Sequence, residues 1–330
     1  MSEKESGPPI QRISFKDRLY VSLIPIANLI FLPLFKTWVA GASIESAITE
    51  TRKLNAKGDE AVTIVNFLGE HYNQRWKVEQ TVREYHDVID RIAESGVQAT
   101  VSTKPSQMGF DLPEDSLEYT QGSIRSIIER GSNKGVFVWI DMEHQGFTDF
   151  TIDIYRSYLK DFDNVGIVLQ ANMKRTDEDL RGLLKLDRSE YPHPAKIRLC
   201  KGIYKEPAEI AFTRKPEVNE HFGKLIRIMM EEGPDDIWAA VASHDDVYTD
   251  MGVELNKQHP KAHFEIQMLR GIRTSLANHY LSEGVPLAIY TPYGADSLPY
   301  CYRRATEANN LTSTMIRSML SGLYRAKYKK

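Results

Sequence analysis

The sequence predicts an α/β fold: a distorted (β/α)8 TIM-like barrel with an N-terminal helical extension. Three observations carry this. Eight short apolar runs rich in β-branched residues recur along the chain, and the segments between them are polar and amphipathic at helical period. Parallel strands buried on both faces read as such runs, and each needs a crossover of a dozen or more residues to reach the next. Polar and charged residues also gather at the ends of the runs, the end at which a barrel builds its active site.

Residues 1–12 read as disordered, and 15–57 as two or three helices ending near Lys57-Gly58-Asp59. This gives an N-terminal helical segment, 1–58, ahead of a barrel over 59–330. The predicted strands are Ala61–Leu68, Val97–Thr103, Val136–Met142, Val165–Ala171, Ile197–Lys201, Ile237–Ser243, Ala262–Met268 and Val285–Tyr290. Val78–Glu94, Ser116–Arg130, Thr148–Lys160 and Thr176–Leu186 are predicted helices between them. An open doubly wound sheet is the alternative arrangement of the same units.

The chain has 330 residues, 42% of them hydrophobic, enough for one large barrel domain. A net charge of −3 gives no electrostatic case for nucleic acid as a partner. Two cysteines, Cys200 and Cys301, are too few for a disulfide framework and point to a reducing, cytoplasmic compartment. The start, MSEKESGPPIQR, lacks the apolar core of a secretory signal. Leu19–Phe35 is apolar but short, and Ser22, Pro25, Asn28 and Pro33 interrupt it. It falls below the roughly 20 apolar residues of a membrane span. It reads as a buried helical segment or, with Lys16, Arg18, Lys36 and Trp38 flanking it, as a peripheral contact on the inner face of a membrane.

The run ends carry Glu70, Lys104, Asp141 with Glu143, Gln170, Arg198 with Lys201, His244 with Asp245, Glu265 with Gln267, and Tyr290. Such groups are costly beside apolar strands unless they pair or bind something. Further on stands Arg303-Arg304, a cationic fork suited to a carboxylate, with Glu307 one helical turn away to hold it. By itself an Arg-Arg pair more often marks a solvated helix end; the strand-loop-helix context is what favours the fork. The excess of cations suits a carboxylate substrate, a phosphate-bearing cofactor, or both. No GxGxxG, Walker A, HExxH or GxSxG sequence occurs, and the histidines lack metal-ligand spacing, so no metal is expected. Cys200 reads as core packing, which leaves nucleophilic catalysis without an agent.

Taken in order, NFLGE (66–70), STKPSQMG (102–109), IDMEHQ (140–145), GIVLQANMKRT (166–176), IRLCKGIYKEPAEIAF (197–212), ASHD (242–245), FEIQMLRGIR (264–273) and IYTPYGADSLPYCYRRATE (289–307) resemble the monofunctional proline dehydrogenases. The resemblance implies a distorted (β/α)8 barrel that binds FAD noncovalently across the strand ends. It implies oxidation of L-proline to Δ1-pyrroline-5-carboxylate, the first step of proline catabolism. Hydride would pass from proline C5 to flavin N5, and a membrane quinone would accept the electrons.

The resemblance also assigns roles. Arg303 and Arg304, helped by Lys104, would clamp the proline carboxylate. Tyr290 and Leu269 would pack around the pyrrolidine ring, with Asp141 supporting the site. Glu70 would pair with the fork and gate it, and Glu307 would steady it. Arg198 would sit at the N5 edge. Gln170, Lys201, Gly202, Tyr204, Ser243 and His244 would line the isoalloxazine, ribityl and phosphate groups, with Thr213 and Lys215 at the adenosine end. The chain departs from the family pattern at Asn66, Asn172, Ile203 and Ser243, where Asp, Tyr, Ala and Thr are usual. The alternatives are the same chemistry on trans-4-hydroxy-L-proline, or a silent barrel that binds flavin or proline without turnover.

Overall fold

The computed structural model describes residues 37–58, 60–297 and 300–301. The chain divides into two compact units: Trp38–Ala295, and Met1–Thr37 with Asp296–Lys330. The second lies almost wholly outside the described residues. With it go Leu19–Phe35 and the fork residues Arg303, Arg304 and Glu307.

The first unit is a closed barrel of eight parallel strands in sequential order. The strands are β1 (Ala61–Phe67), β2 (Ala99–Thr103), β3 (Val138–Ile140), β4 (Val165–Gln170), β5 (Lys196–Cys200), β6 (Trp238–Ala242), β7 (His263–Leu269) and β8 (Leu287–Tyr293). β1 and β8 close the barrel in register from Ala61↔Leu287 to Phe67↔Tyr293. Every predicted run became a strand, with ends shifted by at most three residues.

A first helix, α1 (Ile44–Asn55), precedes β1, and seven more follow the first seven strands. These are α2 (Arg75–Ser95), α3 (Ser116–Lys134), α4 (Thr148–Leu159), α5 (Thr176–Leu184), α6 (Lys215–Arg227), α7 (Asp246–Gln258) and α8 (Thr274–Ser282). α2 and α3 stop at Gly96 (φ +63°) and Gly135 (φ +70°), left-handed positions that glycine adopts without steric cost. α1 starts with a reciprocal Ser43–Ser46 capping box and packs outside β8 and β1. It descends from the level of Pro292, whose carbonyl accepts from Ala40 N, to the start of β1, where Asn55 donates to Ala61 O. Arg91–Glu45 and Arg270–Glu50 tie it to α2 and to the turn after β7. α1 therefore covers the seam at which the barrel closes.

Two apolar clusters stand out among the described residues of the barrel. The larger lies between strands and helices and includes Ile48, Tyr85, Ile124, Tyr155, Leu199 and Phe222. The smaller fills the barrel with Ile64, Trp139, Ala240 and Ala288, flanked by Val62, Phe137, Trp238 and Tyr290. Side chains alternate along a strand, so the interior set identifies the inward positions. Continuing by twos toward the strand C-termini turns Asn66, Ser102, Asp141, Gln170 and Arg198 to the inside.

Candidate active site

The inward layer nearest the mouth is polar, and Asp141 is its hub. Its Oδ1 accepts from Ser102 Oγ (2.7 Å) and Arg198 Nη1 (2.7 Å), and its Oδ2 from the Tyr290 hydroxyl (2.8 Å). Asp141 can reach all three because its N–H continues the ladder to Thr103 O, carrying β3 one residue further. Burial and the adjacent Asp141 carboxylate push the Tyr290 phenol well above its usual value, so it stays a neutral donor.

Arg198 is 5% exposed. Its guanidinium lies 4.6 Å from the Trp139 ring centroid and 5.8 Å from that of Tyr290. Nη1 is committed to Asp141, whereas Nε and Nη2 are buried with no partner among the described residues. Both Arg198 and Tyr290 come from within their strands rather than from the strand ends. Beside them Lys104 Nζ makes a long 3.5 Å contact with Asn66 Oδ1, and Asn66 donates to Ser102 O.

Lys104 leads into a short 3-10 turn, Pro105–Gln107, anchored by Glu143. The Glu143 oxygens accept from Ser106 N (2.8 Å) and Ser106 Oγ (2.6 Å), and Gln170 Nε2 donates to the carbonyls of Met142 and Glu143. Burial raises the Glu143 carboxyl above its usual 4.5, partly offset by the Ser106 hydrogen bonds. An acid with a raised folded-state pKa stabilises the fold fully below its unfolded value and loses that contribution as pH rises through the folded one. Glu143→Gln, which can accept from Ser106 N and donate to Ser106 Oγ, is therefore expected to gain stability relative to wild type as pH climbs from about 4.5. A constant difference in urea melts of both proteins between pH 4 and 8 would mean that the Glu143 carboxyl titrates alike in the folded and unfolded states.

On the opposite rim Lys201 donates to Asp245 Oδ2 (2.6 Å), with the Tyr248 ring 4.7 Å away. The next residue, Gly202, has φ +86°, and a Cβ there would strike the Asn172 carboxamide, so no other residue fits. Asn172 Nδ2 donates to Tyr204 O (3.2 Å). A cleft of about 600 Å³ opens here, lined by Lys201, Gly202, Tyr204, Thr213 and Lys215 among others. Ser243 Oγ accepts from Asp245 N, and His244 Nε2 accepts from Leu269 N (3.1 Å). A neutral His244 therefore carries its proton on Nδ1. The His244 carbonyl is held by Arg273 Nη1 (2.8 Å).

The structure thus joins Asp141, Arg198 and Tyr290 directly, bonds His244 to Leu269, and places Lys201, Gly202, Tyr204, Thr213 and Lys215 around one cleft. Glu70 follows β1 and Gly69 at the mouth, half-buried. Its expected pairing with the arginine fork lies outside the described residues. The reading by strand ends missed Ser102, Trp139 and Ser106. The first two were accessible by stepping back two residues from Lys104 and Asp141. Glu265, read as a strand-end residue, instead sits mid-strand in β7, buried and bonded to Gln267 Nε2. Buried donors at one end and a cleft rimmed by Lys201, Lys205 and Lys215 at the other suit an elongated anionic ligand.

The family described as "Proline dehydrogenase" matches residues 47–317. Proline dehydrogenase 1 of Bacillus subtilis (strain 168) is 34% identical over 274 residues, 82% of this chain and 86% of its own length. Proline dehydrogenase of Deinococcus radiodurans is 30% identical over 293 residues, 88% and 91% of the respective chains. Among solved structures, proline utilization A (PutA) from Bdellovibrio bacteriovorus, inactivated by N-propargylglycine, superposes with a TM-score of 0.74 at 19% identity. That match covers 93% of this chain and 34% of the longer one, so this protein spans about a third of it. The barrel, its polar mouth and these similarities agree: the chain belongs to the proline dehydrogenase family of flavin-dependent oxidoreductases.

Proposed function

We propose that the protein oxidises L-proline to Δ1-pyrroline-5-carboxylate with noncovalently bound FAD. The observation that carries this reading is Arg198: a guanidinium buried inside the barrel mouth with two donors, Nε and Nη2, that no group among the described residues uses. Unsatisfied buried donors of a cation are costly, and an electron-rich ligand edge would satisfy them. Bound FAD would supply the hydride acceptor at N5.

The chain's own residues do the rest. Lys104, Arg303 and Arg304 bind the substrate carboxylate and so fix the ring carbon that loses hydride. Tyr290 and Leu269 hold the ring, and Asp141 keeps Tyr290 and Arg198 in place through its two oxygens. Gly202 makes the left-handed turn that shapes the cleft, while Gln170, Tyr204, Ser243 and His244 surround the ligand's middle. Lys201, already paired with Asp245, offers its remaining N–H groups to phosphate, and Thr213 and Lys215, which line the same cleft, would hold the adenosine end. Glu70 and Glu307 steady the fork. The substrate amine must be neutral to release hydride, so turnover rises with pH through its effective pKa. Ile203, bulkier than the usual Ala, is 59% exposed at the cleft, so its bulk stands mostly in solvent.

A membrane quinone is the proposed acceptor, with residues 19–35 making peripheral contact at the inner face of a membrane. Unchanged liposome binding and quinone turnover after removal of residues 1–36 would sink the docking role. The oxidation itself is tested by recording the visible spectrum of purified protein and adding L-proline without oxygen. Bleaching of a flavin spectrum is the expected result. A flavin that stays oxidised with proline and with hydroxyproline would overturn the assignment.

A further inference from the structure

Trp139 is the largest fully buried side chain among the described residues, and the chemistry above gives it no task. The barrel interior is built around it. Gly166 on β4 faces Trp139 in register, and a Cβ there would lie 2.5 Å from the indole Cζ3. Ala240 and Ala288, small residues on β6 and β8, pack in the same cluster with Ile64. Phe137 (5.0 Å) and Trp238 (5.6 Å, near-perpendicular) support the ring. Over the indole ring lies the Arg198 guanidinium, 4.6 Å from its centroid.

That stacking answers a mechanical problem. Asp141 holds Arg198 through Nη1 alone, because its other oxygen is occupied by Tyr290. A single hydrogen bond fixes a point on the guanidinium and leaves its plane free to turn, unlike a bidentate clamp. A flat, immobile indole fixes the plane, and tryptophan offers the strongest cation–π face.

We propose that Trp139 is a positioning residue for the oxidation: wedged across Gly166, it sets the plane of Arg198 so that Nε and Nη2 face the bound flavin. The inference rests on the flavin reading of the preceding subsection. A buried cation held beside the flavin favours the extra negative charge of its reduced form, so Trp139 acts through Arg198 to raise the midpoint potential of the flavin.

The test uses the holoenzyme and measures the two-electron midpoint potential of the bound flavin, with thermal melts as the folding control. Trp139→Leu is expected to lower the potential by an amount equal to about a tenfold change in the reduction equilibrium, about 30 mV for a two-electron couple. Trp139→Phe, which keeps a weaker aromatic face, should fall between. In an Arg198→Lys background, which keeps the cation but lacks the planar fork, the Trp139→Leu shift should vanish. An unchanged potential in either Trp139 variant, or an equal shift in the Lys background, would overturn the role. If Trp139→Leu does not fold, Trp139→Phe alone decides on the same criterion. Wild-type protein that binds no flavin would overturn the functional reading itself, and this inference with it.

Discussion

Asp141→Asn is expected to destabilise the folded protein by about 3–5 kcal/mol, the cost of leaving a buried charge without its partner. The substitution keeps the shape of the side chain and removes its charge. Arg198 and Asp141 side chains are only 5% and 14% exposed, so solvent does little to screen the loss. Arg198 Nε and Nη2 already have no partner among the described residues, which leaves Nη1–Asp141 as its hydrogen-bonded anchor. The Tyr290 and Ser102 hydroxyls would then meet an amide in place of a carboxylate oxygen. Removing both charges should hurt less than removing one. In denaturant melts, Asp141→Asn combined with Arg198→Met should lose much less stability than the sum of the two single losses. Strict additivity would mean that the pair is not coupled, and the hub would be one of shape rather than charge. Tyr290 provides a second check. Its phenol is held high by burial and by the Asp141 charge, so in Asp141→Asn its spectroscopic titration should move down toward 10.

The second large effect concerns substrate capture. Arg303→Met or Arg304→Met is expected to raise KM for proline by the equivalent of about 2–4 kcal/mol, the loss of a charge-assisted bidentate contact. FAD should remain bound, because the cleft of Lys201, Gly202 and Lys215 lies on other loops of the barrel. Lys104→Met should act in the same direction more mildly, since its ammonium is a point charge rather than a fork. Steady-state KM on flavin-loaded variants decides the matter: wild-type values in both arginine variants would remove the fork from the substrate site.

The architecture was legible in the sequence for a simple reason. Parallel strands buried on both faces must be apolar throughout, and the helices between them must be amphipathic, so the eight repeats of that alternation show without any contact being known. The candidate residues were legible because a barrel delivers strand C-termini to one face, and polar residues there stand out against apolar runs. The sequence alone also marks Arg303, Arg304 and Glu307, which lie beyond the described residues.

Other features depended on closure of the barrel. That Asp141, Ser102, Arg198 and Tyr290 meet at one carboxylate could not be read from any spacing, since the four come from four different strands. Their junction is set by strand stagger and by the alternation that turns every second residue inward. The same holds for Trp139, which reads as one more apolar residue of a strand until Gly166, Ala240 and Ala288 prove to be the small residues that make room for it. Likewise Lys201, to sequence another free cation, is committed to Asp245, and α1 proves to cover the β8–β1 seam. Residue chemistry and hydrophobic period are local properties of the chain, and the sequence states them outright. Which buried charges face each other depends on the register of strands far apart in the chain, and only the closed sheet decides that.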